Sequence, residues 1–144
     1  MPGTDKKDPY NLQRFVDAQD PVFAEVCSEL KMGRKRSHWM WFIFPQLQGL
    51  GHSSIAQYYA ISSIDEAKAY LSHPILGPRL LECCRLVILI ERRSIQEIFG
   101  YPDFLKFRSS LTLFARATSE NRLFTIALEK YFGGEQDGST LERL

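Results

Sequence analysis

Residues 74–90 read PILGPRLLECCRLVILI, and whether they form a strand or a helix decides the fold. Taken alone, the run Leu86–Ile90 has the apolar look of a buried strand. The longer pattern overrides it, because Leu76, Leu80, Cys83, Cys84, Val87 and Ile88 recur at spacings of three and four, which places them on one face of a helix. Residues 102–114, PDFLKFRSSLTLF, carry a second such stripe in Phe104, Phe107, Leu111 and Phe114. Both segments are predicted as core helices, each opening after a proline suited to a first helical turn.

Working outward, Asp8-Pro9 and Asp20-Pro21 each place a carboxylate ahead of a proline, the pattern of a capped helix start. Phe23, Val26, Cys27 and Leu30 then mark one buried face of a helix over 21–32, and Gly33 is its stop. Ser63 with Glu66, Ser94 with Glu97 and Ser139 with Glu142 fit capping boxes. A last long helix is predicted over 120–132, with Leu123, Ile126, Ala127 and Tyr131 inward and Gly133-Gly134 after it. The only other strand candidate is Trp39–Phe44. The fold expected is mainly α: a compact single-domain orthogonal array of about six to eight short helices spanning residues 1–144. Residues 1–8 are expected as a flexible N-terminus and 135–144 as a polar tail.

The chain has 144 residues, enough for one domain with a substantial core, and is 44% hydrophobic and 12% aromatic. With 18 basic and 17 acidic residues it carries a formal net charge of +1, so no global field draws it to nucleic acid or an anionic membrane. No apolar run approaches the roughly 20 residues that cross a bilayer, and the first residues lack an apolar signal region. A soluble, cytoplasmic protein is expected. Three cysteines, Cys27, Cys83 and Cys84, have no metal-ligand spacing, and no histidine pair stands at the spacing of a zinc hydrolase. Neither a metal nor a cofactor is expected.

The densest chemistry lies between Lys31 and Tyr59. Lys31, Arg34, Lys35, Arg36 and His38 border the aromatic run Trp39–Phe44, and Gly49, Gly51, Ser53, Ser54, Tyr58 and Tyr59 follow it, so polar handles surround an apolar wall. Glycines in the loop 45–52 let a ligand or another backbone come close. Farther on, Asp103, Lys106 and Ser110 fall at helical spacing on a shared polar face. If that face closes over Trp41, Ser53 and Tyr59, a ligand site results. Trp41, Ser53, Tyr59, Asp103, Lys106 and Ser110 would bind, with Asp103 as candidate catalytic base or sugar-hydroxyl acceptor and Lys106 as counter-charge for an anion.

Several ordered motifs then add a resemblance. Trp41-x-x-Phe44-Pro45-x-Leu47, the segment 53–59, Glu66-Ala67-x-x-Tyr70-Leu71-x-x-Pro74-x-Leu76-Gly77-x-Arg79-Leu80, Phe99-Gly100-x-x-Asp103-x-x-Lys106-x-x-Ser109-x-x-Thr112-Leu113-Phe114 and Gly138-x-Thr140 together resemble an uncharacterised bacterial and fungal family, domain of unknown function 1810. The resemblance implies a compact, mainly helical domain and brings no established activity. Some members carry the label calpastatin, a disordered repeat inhibitor, which this aromatic and repeat-free chain does not match. Ser54-x-x-x-x-Tyr59-Ala60 followed by Glu66-Ala67 is similar to a segment of the NADAR family, which acts on ADP-ribose and related N-glycosides. Ile55 and Ala56 stand where that family has an acidic residue.

The functional expectation is a small anionic or nucleotide-like ligand held in the aromatic and polar cleft. Two alternatives stand beside it: a protein-interaction module with an exposed aromatic patch around Trp39, and an N-glycosidase-like enzyme on ADP-ribose-type substrates. Ligand, reaction and oligomeric state are not written in the sequence.

Overall fold

A computed structural model describes residues 7–144. Ten helices follow one another among the described residues: α1 Gln13–Gln19, α2 Phe23–Lys31, α3 Met40–Ile43, α4 Ser54–Tyr58, α5 Ile64–Ser72, α6 Leu76–Leu89, α7 Ile95–Phe99, α8 Asp103–Ala117, α9 Arg122–Phe132 and α10 Gly138–Arg143. Six of these have seven or more residues, so the expected array is present with four short turns of helix added to it. Both ambiguous apolar runs are helical. Leu86 and Val87 lie buried inside α6, and the run from Trp39 becomes the single turn α3. The only β pairing described is an isolated parallel bridge between Leu47 and Ile61.

The long helices pack as a ring in which α5 touches α6 and α8, while α9 touches the same two from the other side. Around the ring, α2 covers α6, α7 and α10 cover α8, and α1 meets α3. α8 is therefore surrounded, and Ser109 to Ala115 are all buried. The buried apolar residues form one cluster rich in aromatic edges, with Phe107 4.9 Å from both Phe44 and Phe99, and Tyr70 5.1 Å from Phe15 and 5.2 Å from Phe114 between ring centroids.

The helix ends show which local signals won. Ser94 and Glu97 form the full capping box, and Gly33 and Gly133 leave α2 and α9 at φ +83° and +62°. At α5 only half the box forms, because the Glu66 carboxylate turns to the Ser62 amide and hydroxyl rather than to Ser63. Asp8 accepts from the Leu12 and Gln13 amides, whereas Asp20 does not cap α2 and pairs with Arg79 at 2.9 Å. The expected Ser139–Glu142 box is replaced by Asp137, which accepts from the Thr140 amide and hydroxyl. The polar tail is thus a docked helix with Thr140 fully buried. Of the expected flexible N-terminus, residues 1–6 lie outside the described residues.

Candidate functional site

Trp41, Tyr59 and Lys106 do meet. They line one small cavity together with Met40, Phe44, Gly51 and Ala56, and the Lys106 ammonium sits 5.5 Å from the Trp41 ring centroid. Its volume is about 10 Å³, room for about one water-sized centre and far below a nucleotide. The tyrosine explains much of the filling: its ring packs 5.7 Å from Phe15 and 5.4 Å from Phe42, and burial raises its hydroxyl pKa. Ser53 lies elsewhere as the exposed N-cap of α4, accepting from the Ala56 amide at 3.2 Å.

The expected polar face of α8 is occupied differently from its spacing. Asp103 pairs most closely with Lys35, at 2.9 Å, and stands 3.7 Å from Lys106. Ser110 is buried although it shares an azimuth with Asp103, because seven residues carry it about 10 Å along the axis into the part of α8 enclosed by its neighbours. The basic cluster beside it is organised by Glu29 of α2. That carboxylate accepts from the Arg36 and Ser37 amides, the Ser37 hydroxyl and the Trp39 indole at 2.9 Å. Burial alone would raise its pKa, but these donors, led by the Ser37 hydroxyl, outweigh it and hold Glu29 down at about 2. Trp39 is buried by the same arrangement, so it offers no exposed aromatic patch.

Glu66 is equally committed. It is 2% exposed and accepts from Arg14 at 3.0 Å, while the Arg14 guanidinium also donates to the carbonyls of Tyr10, Asn11, Tyr58 and Ala60. The pair staples α1 to the start of α5, with Arg14 on one carboxylate oxygen and the Ser62 amide and hydroxyl on the other.

A roomier concavity lies next to these residues. Leu47, Gln48, Gly49, Ser62, Ser63, Ile64, Arg116, Leu141, Arg143 and Leu144 line a groove of about 980 Å³ between the Leu47–Ile61 bridge, the N-terminus of α5 and α10. Leu47, Ile64, Leu141 and Leu144 supply its apolar lining. Arg116 and Arg143 stand on its wall with no carboxylate within ion-pair distance among the described residues, and Arg116 donates only to the Gln136 amide oxygen at 3.2 Å. The Ser63 hydroxyl accepts from the Glu66 amide and keeps its own proton for a ligand. Gly49, at φ +98°, lies against the Arg143 guanidinium, whose Nη1 would stand 2.5 Å from a Cβ placed there. The expected close approach to this loop is therefore made by Arg143, with Ala56 doing the same at Gly51.

None of the six sequence-chosen residues lines this groove. Arg116 and Arg143 are 27 positions apart, and only the docking of α10 on α8 brings them together. Among the described residues no group of three or more histidine, cysteine, aspartate or glutamate side chains is arranged to hold a metal, and no helix is long and apolar enough to cross a membrane.

The family described as Protein of unknown function (DUF1810) matches residues 9–144. The fold is shared with the crystal structure of the conserved hypothetical protein Rv1873 from Mycobacterium tuberculosis, at 58% sequence identity and a TM-score of 0.95, covering 95% of this chain and 98% of that one. No curated protein matches the chain.

Proposed function

This chain belongs to the DUF1810 family, and we propose that it binds a small anionic ligand with an apolar portion, in the groove beside α10 and in the cytoplasm. The observation that carries this reading is that two guanidinium groups without a carboxylate partner among the described residues, Arg116 and Arg143, line one groove together with the aliphatic side chains of Leu47, Ile64 and Leu141. Guanidinium forks suit carboxylate and phosphate oxygens, and a volume near 980 Å³ is at the upper end of the range typical of small-molecule sites. Leu47, Ile64 and Leu141 accept the apolar part, and the Ser63 hydroxyl adds a donor. A phosphate ester of an organic group and an aliphatic carboxylate both fit these requirements, and a nucleotide is one instance of the first.

Thermal shift separates this groove from the small cavity. Inorganic phosphate, nucleoside monophosphates and short aliphatic carboxylates are titrated against the wild type, Arg116→Ala/Arg143→Ala and Lys106→Ala. A ligand at about a hundred times its Kd adds about 2.7 kcal/mol of apparent stability. The rise is expected in wild type and in Lys106→Ala, and it is expected to vanish in the double arginine variant. A rise that survives loss of both arginines, or no rise with any of these anions, removes the groove. A rise lost only in Lys106→Ala moves the ligand to Trp41.

A further inference from the structure

A second concentration of positive charge lies where the chain leaves α2 and meets α7. After Gly33 the chain reverses, and the Lys35 amide donates to the Ile98 carbonyl at 2.8 Å, which pins this segment against α7. Arg93, from the turn between α6 and α7, packs on that reversal: a Cβ placed on Gly33 would stand 2.9 Å from its Nε and 3.2 Å from its Cδ. Arg34, Lys35 and Arg93 thereby line one hollow of about 400 Å³, together with Gln96, Glu97 and the buried Ile98. We propose that this hollow is a second anion site, separate from the groove beside α10, and that it takes the terminal phosphate of a phosphate monoester.

The charge of the lining sets the ligand class. Among the described residues neither Arg34 nor Arg93 has a carboxylate within ion-pair distance, and both are exposed, so their guanidinium forks are open to a ligand from solvent. Lys35 is held in place, with its ammonium 2.9 Å from Asp103 and 5.3 Å from the Trp39 ring centroid. Glu97 is the single carboxylate of the lining. It accepts from the Ser94 amide at 2.7 Å, and that bond leads the causes that hold its pKa below the ordinary glutamate value. Three cations against one carboxylate leave an excess of two positive charges. A phosphate monoester brings about −1.5 to −2 at pH 7 on three acceptor oxygens, and guanidinium forks match those oxygens in pairs. A carboxylate brings one charge and would leave half of the excess uncovered. Gln96 adds an uncharged donor.

Shape favours a chain end over a polymer backbone. Ile98 and Phe99 are buried where they line the hollow, and its volume is toward the lower end of small-molecule sites. Nucleic acid presents one charge per phosphate along a track, which calls for cations strung along a surface. Here the cations share one concavity, and a formal net charge of +1 adds no long-range pull on a polyanion.

Amide NMR decides the assignment, because it separates this hollow from the groove. Protein labelled with nitrogen-15 is titrated with inorganic phosphate, with phenyl phosphate and with an oligothymidylate that has no terminal phosphate. Saturable shifts are expected at Arg34, Lys35, Arg93 and Gln96 with the first two probes. Arg34→Ala/Arg93→Ala is expected to weaken phenyl phosphate binding there by about a hundredfold, roughly tenfold for each charged donor removed. Arg34→Lys/Arg93→Lys keeps both charges and is expected to lose about tenfold, since an ammonium offers no fork. In Arg116→Ala/Arg143→Ala the shifts at Arg34 and Gln96 are expected unchanged and those at Gln48 and Ser63 are expected to disappear, so failure of the groove and failure of this hollow read separately. The absence of saturable shifts at Arg34 and Gln96, wild-type affinity in either Arg34/Arg93 variant, or oligothymidylate bound there as tightly as phenyl phosphate each overturns the assignment.

Discussion

Glu29 shows how a single residue can be invisible to pattern and yet organise its surroundings. In the sequence it is one more carboxylate on an amphipathic helix, ahead of a cluster of basic residues that looks solvated. In the fold the chain turns back after Gly33, so that the amides of Arg36 and Ser37 and the Trp39 indole all point at it. Its pKa is depressed in the folded state, so its contribution to stability is complete above the ordinary glutamate range and is lost as pH falls toward about 2. Glu29→Gln keeps the size and one acceptor but leaves buried donors short of partners, at a cost of about 1–3 kcal/mol at pH 7. Urea titrations at pH 7 and pH 3 check the sign: the gap between wild type and variant is expected to narrow at the lower pH. A gap that stays constant would remove the Glu29 carboxylate as the source.

Among the elements, α10 starts where tertiary contacts rather than local pattern put it, and it forms one side of the groove. Two local cap patterns compete in residues 137–142, Ser139 with Glu142 and Asp137 with Thr140, and nothing nearby chooses between them. Contacts from α8 choose: the Ser109 hydroxyl donates to the Asp137 carboxylate at 3.0 Å, and the Asp137 amide donates to the Thr112 hydroxyl at 2.9 Å. Asp137→Ala is expected to cost about 1–2 kcal/mol and to raise amide exchange across 138–143 while α6 exchange stays unchanged. Equal protection of α10 in both proteins would show that Leu141 and Thr140 hold it unaided. The same competition explains what could be read beforehand. α6 and α8 follow from apolar stripes that are complete within each segment, whereas α9 forms where expected but turns Phe124, Ala127 and Leu128 inward and leaves the expected Leu123, Ile126 and Tyr131 half-buried. The α6 start is different, because the His73 ring nitrogen accepts from the Ile75 and Leu76 amides, a cap that composition does not announce. Trp41, Tyr59 and Lys106 line one cavity, and aromatic bulk and a cation are both visible in the sequence. That their meeting place would be filled depends on Phe15 and Phe42 pressing on Tyr59, contacts that no spacing encodes.

Across the whole molecule, the ring of α5, α6, α8 and α9 has one corner with no room to spare. At Gly77 a Cβ would run into the backbone carbonyl of Leu71, which a side chain rotation cannot relieve. The start of α6 can approach the end of α5 this closely only with glycine there. In most exposed helices Gly→Ala stabilises by limiting the unfolded chain, by about 0.4–1 kcal/mol. Here the clash reverses the sign, since α5 and α6 must separate and the aromatic contacts of Tyr70 with Phe15 and Phe114 must shift with them. Gly77→Ala is expected to lower stability by roughly 1–3 kcal/mol, the usual cost of overpacking. Because the buried apolar residues form one cluster, the loss is expected in the whole transition: circular dichroism and the fluorescence of buried Trp39 should move to lower urea together. An unchanged or higher midpoint would mean that the corner relaxes freely. Displacement of the dichroism transition alone would mean that α5 and α6 unfold apart from the region around Trp39.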